Sequence, residues 1–221
     1  MRDCVPNIPE HLELLFNKSN TILIKTSPLL DLQAGIEELK HVQGIHIVAV
    51  KNEVKELVWL LSKETSPKIK IRSLNFTKTG LEEFNGFFNQ PTAAVADYSL
   101  PKNFLFEPNA AIMKSGLFVE LSVETGTSKL HTNSHLYTSI ENKNFPGRKF
   151  IIKEVEAYKP GYLKKRFKGS KANITTRNFP ENVVQLRKKL KIKEGGKTYL
   201  FFTTNLKNKK ILLICEKIDT K

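Results

Sequence analysis

Lysine and arginine side chains that could bind phosphate groups are concentrated at one end of the chain. Residues 145–221 carry 21 Lys and Arg against 6 Asp and Glu, a net charge of +15, whereas residues 1–144 have a net charge of −1. Cationic side chains supply most of the sequence-independent affinity of proteins for nucleic-acid backbones. This distribution therefore predicts a surface for a polyanion, most often nucleic acid. The basic cluster consists of Lys164, Lys165, Arg166, Lys168, Arg177, Arg187, Lys188, Lys189, Lys191 and Lys193.

Aromatic residues are interleaved with these basic residues. Tyr162, Phe167 and Phe179 could stack on unpaired bases and so extend the phosphate contacts into an RNA-binding surface. The alternative is that the lysines form a solvated surface and that the aromatic rings belong to the hydrophobic core. The concentration of charge favours RNA binding.

A second set of polar residues, Lys25, Thr26, Ser27 and Pro28, follows the first apolar run of the chain. Residues 21–25 are a predicted buried strand, and α/β proteins bind ligands at the carboxyl edge of their sheets. Lys25 and Ser27 could therefore line a substrate pocket. Alternatively, Ser27 or Thr26 caps the following helix and Pro28 occupies its first turn, a role that is compatible with a pocket.

Two histidines, His131 and His135, have a spacing that suits metal ligation on a helix. The polar residues between them, Thr132, Asn133 and Ser134, indicate a loop instead, and no cysteine or acidic residue is close in sequence. We expect no metal site. The sequence also assigns no catalytic triad or carboxylate pair.

The elements that would position the first of these sites alternate between helical spacing and short apolar runs. Residues 8–76 follow the order α-β-α-β-α-β, with a helix predicted after a cap at Asn52. This order predicts an α/β fold with a mostly parallel sheet. Nucleotide-binding sheets of this class open with a strand and a Gly-rich turn, whereas the first glycine of this chain is Gly35. We therefore expect a partial Rossmann-like sheet, the back half of a doubly wound domain.

The rest of the chain has two further patterns. Residues 77–144 are nearly neutral and aromatic, with helices predicted at residues 77–89 and 108–121. Residues 145–221 show a β-α-β-α-β-β pattern, which predicts a small α+β layer. The predicted domains are therefore residues 1–76, 77–144 and 145–221.

The composition indicates a globular protein of the cytoplasm. Hydrophobic residues make up 40% of the chain and charged residues 26%, which is unlike a disordered chain. No apolar stretch reaches the length of a transmembrane helix, and the N-terminus lacks the apolar centre of a secretory signal. The two cysteines, Cys4 and Cys215, stand at opposite ends, which favours reduced thiols. We expect a cytoplasmic protein without membrane contact.

Several strings of residues, in order along the chain, resemble one bacterial family. The strings are DCVPN (3–7), KTSPLLD (25–31), IHIVAVKN (45–52), EPNAAIMKSG (107–116), SHLYTS (134–139), FPGR (145–148) and TRNFP (176–180). They resemble the class I S-adenosylmethionine-dependent methyltransferases with a THUMP-like C-terminal domain. The resemblance covers nearly the whole chain.

The resemblance implies that the chain is the C-terminal part of an RNA methyltransferase. Residues 77–144 would be a linking, ferredoxin-like region, and residues 145–221 a basic THUMP-like domain that binds a structured RNA such as tRNA or rRNA. The full-length family uses S-adenosylmethionine, but the family's Gly-rich loop and Asp-Pro-x-Arg-Arg motif are absent from this sequence. We therefore expect no cofactor and no activity for this chain alone, and a partner that is either a second copy or a missing N-terminal part. The alternative is a non-catalytic RNA-binding or assembly module.

Overall fold

Residues 5–64, 66–89 and 95–218 are described by the computed structural model, and they divide into two units. Residues 5–89 and 109–117 belong to the first unit, and residues 95–108 and 118–218 to the second. The sequence-based boundaries of the three domains stay a prediction. None of the helices within the described residues has the length and apolarity that crossing a membrane requires.

The first unit is built on a mixed five-stranded sheet. Its strand order is β1-β3-β2-β4-β5, in which only β2 and β4 pair in parallel. The prediction of a mostly parallel sheet is therefore wrong, because β2–β3 and β4–β5 are antiparallel hairpins. The elements are α1 (Ile8–Lys18), β1 (Thr21–Thr26), α2 (Leu32–Leu39), β2 (Val42–Val50), β3 (Glu53–Ser62), β4 (Lys70–Thr77), β5 (Gly80–Phe87) and α3 (Ala110–Ser115).

The helix predicted after Asn52 is strand β3. Lys51 and Asn52 have φ angles of 50° and 65° and form the two-residue loop of the β2–β3 hairpin, where asparagine tolerates the left-handed backbone. Leu57, Trp59 and Leu61 alternate into the core with a period of two. The short apolar run they belong to fits helical spacing as well, and its hairpin partner was not evident from the sequence.

The helices predicted at residues 77–89 and 108–121 also differ from the structure. The first is strand β5, of which Phe84 is buried. The second is interrupted, because Asn109 caps α3 by accepting from the Ile112 amide (3.0 Å) and Gly116 ends it at a φ of 76°. The following helix, α4 (Phe118–Thr125), belongs to the second unit.

Asparagine side chains attach α3 to the hairpins of the first unit, and those of Asn75 and Asn109 are buried. Asn52 Oδ1 accepts from the Ala110 amide (2.8 Å), and the Asn52 amide donates to Asn75 Oδ1 (2.9 Å). Asn75 Nδ2 and Asn109 Nδ2 both donate to Glu82 Oε2, at 2.8 and 2.9 Å. Buried amides are stable only when such partners exist, so the network fixes the start of α3 against the sheet.

The second unit contains a seven-stranded sheet of order β10-β11-β12-β9-β6-β8-β7. The β-α-β-α-β-β order predicted for the last third of the chain is confirmed. Besides α4, its elements are β6 (Phe104–Pro108), β7 (Ser128–Lys129), β8 (Tyr137–Ser139), β9 (Gly147–Ala157), α5 (Pro160–Phe167), β10 (Asn173–Arg177), α6 (Val183–Leu190), β11 (Thr198–Thr204) and β12 (Lys210–Lys217).

Strands β11 and β12 supply both faces of this sheet. Leu200 and Phe202 pack into the core beneath α5 and α6, whereas Phe201, Leu213 and Cys215 belong to the core of the opposite face. This is the alternation expected of a strand that is covered on both sides. The Cys215 thiol is free, and burial raises its pKa; Cys4 lies outside the described residues.

We predict that Gly35→Ala destabilises the first unit. A Cβ atom at residue 35 would lie 2.3 Å from Cη2 of Trp59, whose ring is fully buried and whose Nε1 donates to Thr26 Oγ1 (2.8 Å). Because the ring is held by that bond, we expect the free energy of unfolding to fall by about 1–3 kcal/mol. Urea unfolding followed by Trp59 fluorescence measures it. Gly44→Ala, whose Cβ would meet nothing closer than 3.4 Å, is the control, and equal effects of the two variants would contradict the argument.

Candidate nucleic-acid interface

Helix α5 presents lysines on the side that faces away from the core. Pro160 occupies its first turn, and Leu163 and Phe167 are buried beneath it. Lys164 and Lys165 are exposed in its last turn. Cations are favoured there because the carboxyl end of a helix carries a partial negative charge.

Helix α6 has the same arrangement. Asn182 begins it with a capping box, in which its side chain accepts from the Gln185 amide and the Gln185 side chain accepts from the Asn182 amide, both at 2.9 Å. Leu186 and Leu190 are buried, and Lys188 is exposed in the last turn.

The backbone brings the carboxyl ends of α5 and α6 together. The Gly169 amide donates to the Lys191 carbonyl (2.9 Å), and the Lys193 amide donates to the Ser170 carbonyl (2.8 Å). The Ala172 amide returns a bond to the Lys193 carbonyl (3.0 Å). Lysines from both helices and from the segments that follow them are therefore neighbours.

We call this set the helix-end lysines. Its members are Lys164, Lys165, Lys168, Lys171, Lys188, Lys191 and Lys193. All seven are exposed, and within the part of the chain that the structure describes none of them forms an ion pair. Their charges are available to an external anion.

Other predicted RNA-binding residues are engaged within the fold. Arg166 donates to Glu154 (2.8 Å) and Glu156 (2.7 Å) on β9, and the bond to Glu154 raises its pKa. Lys189 donates to Glu181 (2.6 Å), which lowers the pKa of that carboxyl. Their assignment as RNA contacts stays a prediction.

Arg187 and Arg177 also have internal partners. Arg187 Nη1 donates to the carbonyl of Ala172 (3.1 Å), at the point where the two helix ends meet. Arg177 ends strand β10 and donates to Glu107. Both remain predictions as RNA contacts.

Two of the three aromatic residues proposed for base stacking belong to the core. Phe167 is buried, and Phe179 packs edge-on against Tyr158 with ring centroids 4.9 Å apart. Tyr162 is 50% exposed beside the helix-end lysines of α5. Of the three rings, only that of Tyr162 is placed for an external contact.

Sequence reasoning missed a buried carboxylate, Glu107 on β6. Arg148 donates through Nε (2.7 Å) and Nη2 to its Oε2, and Arg177 donates through Nε (3.1 Å) and Nη2 (2.9 Å) to its Oε1. The Glu107 side chain is only 3% exposed. The available signal was an acidic residue inside an otherwise apolar strand, since buried acids are rare unless they are paired.

The two histidines that were considered for metal ligation have different surroundings. His131 Nδ1 accepts from the Asn133 amide (3.1 Å) and Asn178 Nδ2 (3.0 Å), which leaves Nε2–H to donate to Asn208 Oδ1 (3.1 Å). His135 stacks on the ring of Phe118, with centroids 3.7 Å apart. His131 therefore connects three loops, and His135 packs on an aromatic face.

The polar residues after β1 are also partnered. Lys25 forms an ion pair with Glu56 (3.0 Å), Thr26 accepts from Trp59, and Ser27 Oγ accepts from the Leu29 amide (3.2 Å). Asp31, rather than Ser27 or Thr26, caps α2, so the cap and the helix start at Pro28 were predicted wrongly. Lys25, Thr26 and Ser27 line a cleft of about 500 Å³ with mostly apolar neighbours, and its role as a substrate pocket stays a prediction.

Comparison with protein families assigns two segments of the chain. Residues 147–217 match the THUMP domain-like family, and residues 104–146 match a ferredoxin-like domain family. The ferredoxin-like and THUMP-like parts of the predicted fold are thereby confirmed.

A solved structure extends the similarity to the whole chain. It is the crystal structure of a "putative methyltransferase" from Porphyromonas gingivalis W83, with 33% sequence identity and a TM-score of 0.89 over 99% of this chain. This chain spans 56% of that protein. No curated protein sequence matches the chain. Together, the matches support a THUMP protein related to methyltransferases.

We predict that Glu107→Gln destabilises the second unit. The substitution leaves two guanidinium groups without their anion, and we expect the free energy of unfolding to fall by about 3 kcal/mol. This value is at the low end for breaking a buried ion pair, because both arginines are partly exposed to solvent. Denaturant unfolding followed by circular dichroism measures it. Glu154→Gln removes a half-exposed partner of Arg166 and should cost less than about 1 kcal/mol. Similar losses in the two variants would contradict this prediction.

We predict that His135 makes the second unit less stable in mild acid. Burial, and then the charges of Lys129 and Arg177, lower the pKa of His135 to about 4. As the pH falls, His135 is therefore protonated in the unfolded chain before it is protonated in the folded one, and the free energy of unfolding should decrease between about pH 6.5 and pH 4. Melting temperatures across this range should depend less on pH in His135→Asn, which tolerates the φ of 49° at this position. Identical profiles for variant and wild type would contradict this assignment.

Proposed function

We propose that this chain is the RNA-binding, C-terminal portion of an RNA methyltransferase. The observation that carries the proposal is the set of helix-end lysines, which is exposed, unpaired within the described residues, and located on a domain that matches the THUMP-like family. A THUMP-like domain suggests RNA binding. The similarity to the Porphyromonas protein suggests the reaction.

The chemistry of the lysine surface suits the phosphate backbone better than the bases. The lysines provide mobile charges without a fixed donor geometry, and Tyr162 is the exposed ring beside them. Such a surface binds phosphates through charge and counterion release, with little dependence on sequence. We infer that it holds a structured RNA, such as tRNA or rRNA, while the site of methylation is chosen elsewhere in the protein.

We infer that the described residues do not form the binding site for the methyl donor. The cleft beside Lys25, Thr26 and Ser27 does not fit S-adenosylmethionine, because these side chains already have internal partners and most other lining residues are apolar. This chain spans only 56% of the Porphyromonas protein. We therefore propose that the donor site belongs to another part of the enzyme.

The edge of the first sheet offers a place for that part. Strand β1 is one of the two edge strands, and Leu23 on β1 and Leu29 just after it are 68% and 89% exposed. Exposed apolar edge strands are usually covered in native proteins. We propose that the donor-binding part of a Rossmann-like methyltransferase sheet pairs with β1, whereas a second copy of the chain would be revealed by dimerisation in solution.

Binding of tRNA tests the proposal. Replacing Lys164, Lys165, Lys168 and Lys188 together by Gln should lower the affinity and reduce the slope of log affinity against log salt by about 3, since each neutralised phosphate contributes roughly 0.7–0.9. Arg166 is left intact because it holds α5 to β9. Fluorescence anisotropy with labelled tRNA, repeated at several salt concentrations, measures both quantities.

A matched control removes the same charge from the other unit. Lys18, Lys51, Lys63 and Lys78 are exposed lysines of the first unit, and their replacement by Gln should leave the salt slope close to that of the wild type. If both quadruple variants bind alike, a merely solvated lysine surface is the better account.

The alternative function, a non-catalytic RNA-binding module, is favoured by the internal partners of Lys25, Thr26 and Ser27. Gene deletion followed by mass spectrometry of cellular RNA nucleosides separates the two. Loss of a methylated nucleoside supports the methyltransferase, and an unchanged set together with retained RNA binding supports the module.

A further inference from the structure

Glu107 holds two arginines in fixed positions at the surface of the second unit. The carboxylate is 3% exposed, whereas the side chains of Arg148 and Arg177 are 36% and 35% exposed. Each arginine uses Nε and Nη2 for Glu107. Neither Nη1 has a hydrogen-bond partner among the described residues, so three of the five N–H donors of each guanidinium stay available.

The two guanidinium groups are close to each other. Because both bind the same carboxylate at ordinary charge-assisted distances, they lie within about 10 Å of one another. Arg148 is further fixed by its position over the ring of Phe150, 5.5 Å from the centroid. Such an arrangement keeps the free donors oriented without any ligand.

The charge of the cluster exceeds what the carboxylate needs. One guanidinium would neutralise Glu107, and the second leaves an uncompensated positive charge. Lys129 adds another, since its ammonium is buried, donates to the Thr132 carbonyl (3.0 Å) and acts on His135 together with Arg177. An anion placed against the arginines would relieve this repulsion.

We propose that Arg148 and Arg177 together bind one phosphate group of the RNA, with Glu107 as the positioning residue. This inference rests on the proposed function. It assigns a single, geometrically defined phosphate contact, in contrast to the mobile helix-end lysines, because planar guanidinium groups fixed by a buried acid can donate paired hydrogen bonds to a phosphate.

Charge-conserving substitution tests the geometry. Arg148→Lys with Arg177→Lys keeps the charge but removes the fixed pairs of donors, so tRNA affinity should fall about tenfold while the salt slope stays near that of the wild type. Arg72→Lys is the matched control and should bind like the wild type, because Arg72 of the first unit donates through the same two groups, Nε and Nη2, to Glu83.

The outcomes separate this inference from the proposed function. If the double variant folds and binds tRNA like the wild type, while the quadruple lysine variant binds more weakly, the arginine site alone is overturned. Absence of tRNA binding by the wild type overturns both. If the double variant fails to fold, NMR of the wild type decides: the Nε–H resonances of Arg148 and Arg177 should shift when tRNA is added, and unmoved resonances overturn the site.

Discussion

The second unit depends on the neutralisation of one buried carboxylate. Burying the charged Glu107 side chain on β6 at 3% exposure would cost much free energy if no cation were near. Arg148 on β9 and Arg177 on β10 supply the opposite charge. In the sheet order, β10 and β6 are separated by three strands. The ion pair between them therefore requires the sheet to curl, in the direction that strand twist already favours. The hydrogen bonds of His131 agree with this curvature of the sheet, since the His131 ring bonds to Asn178 after β10 and to Asn208 after β11.

Arginine and lysine have divided roles in this unit. The arginines stabilise the fold: Arg166 attaches α5 to β9, and Arg187 closes the junction of the two helix ends. Most lysines near them remain in water, because a flexible ammonium gains little from a fixed internal partner. The charge count in the sequence could not separate these roles, because it does not distinguish an ion-paired arginine from an exposed lysine.

Prediction succeeded where the pattern was local and failed where partners were distant. In residues 145–217 each helix buries apolar residues at helical spacing, and side chains along the strands alternate between the two faces of the sheet, as Phe201 and Phe202 do. The element order therefore followed from the sequence. In the first unit, strand β3 was mistaken for a helix because its short apolar run fits both periods and its hairpin turn at Asn52 also looks like a cap. The Glu107 cluster joins residues 41 and 70 positions apart, a separation for which a single sequence has no signal.

The chain passes from one unit to the other more than once, since residues 109–117 belong with the first unit although the flanking residues belong to the second. Helix α3 in this segment supplies Asn109 to Glu82 and the Ala110 amide to Asn52. During synthesis, the hairpins at Asn52 and Glu82 emerge from the ribosome well before α3 does. Domains usually fold as they emerge. The first unit instead lacks α3 until β6 of the second unit has been made, so its completion is linked in time to the synthesis of the second unit.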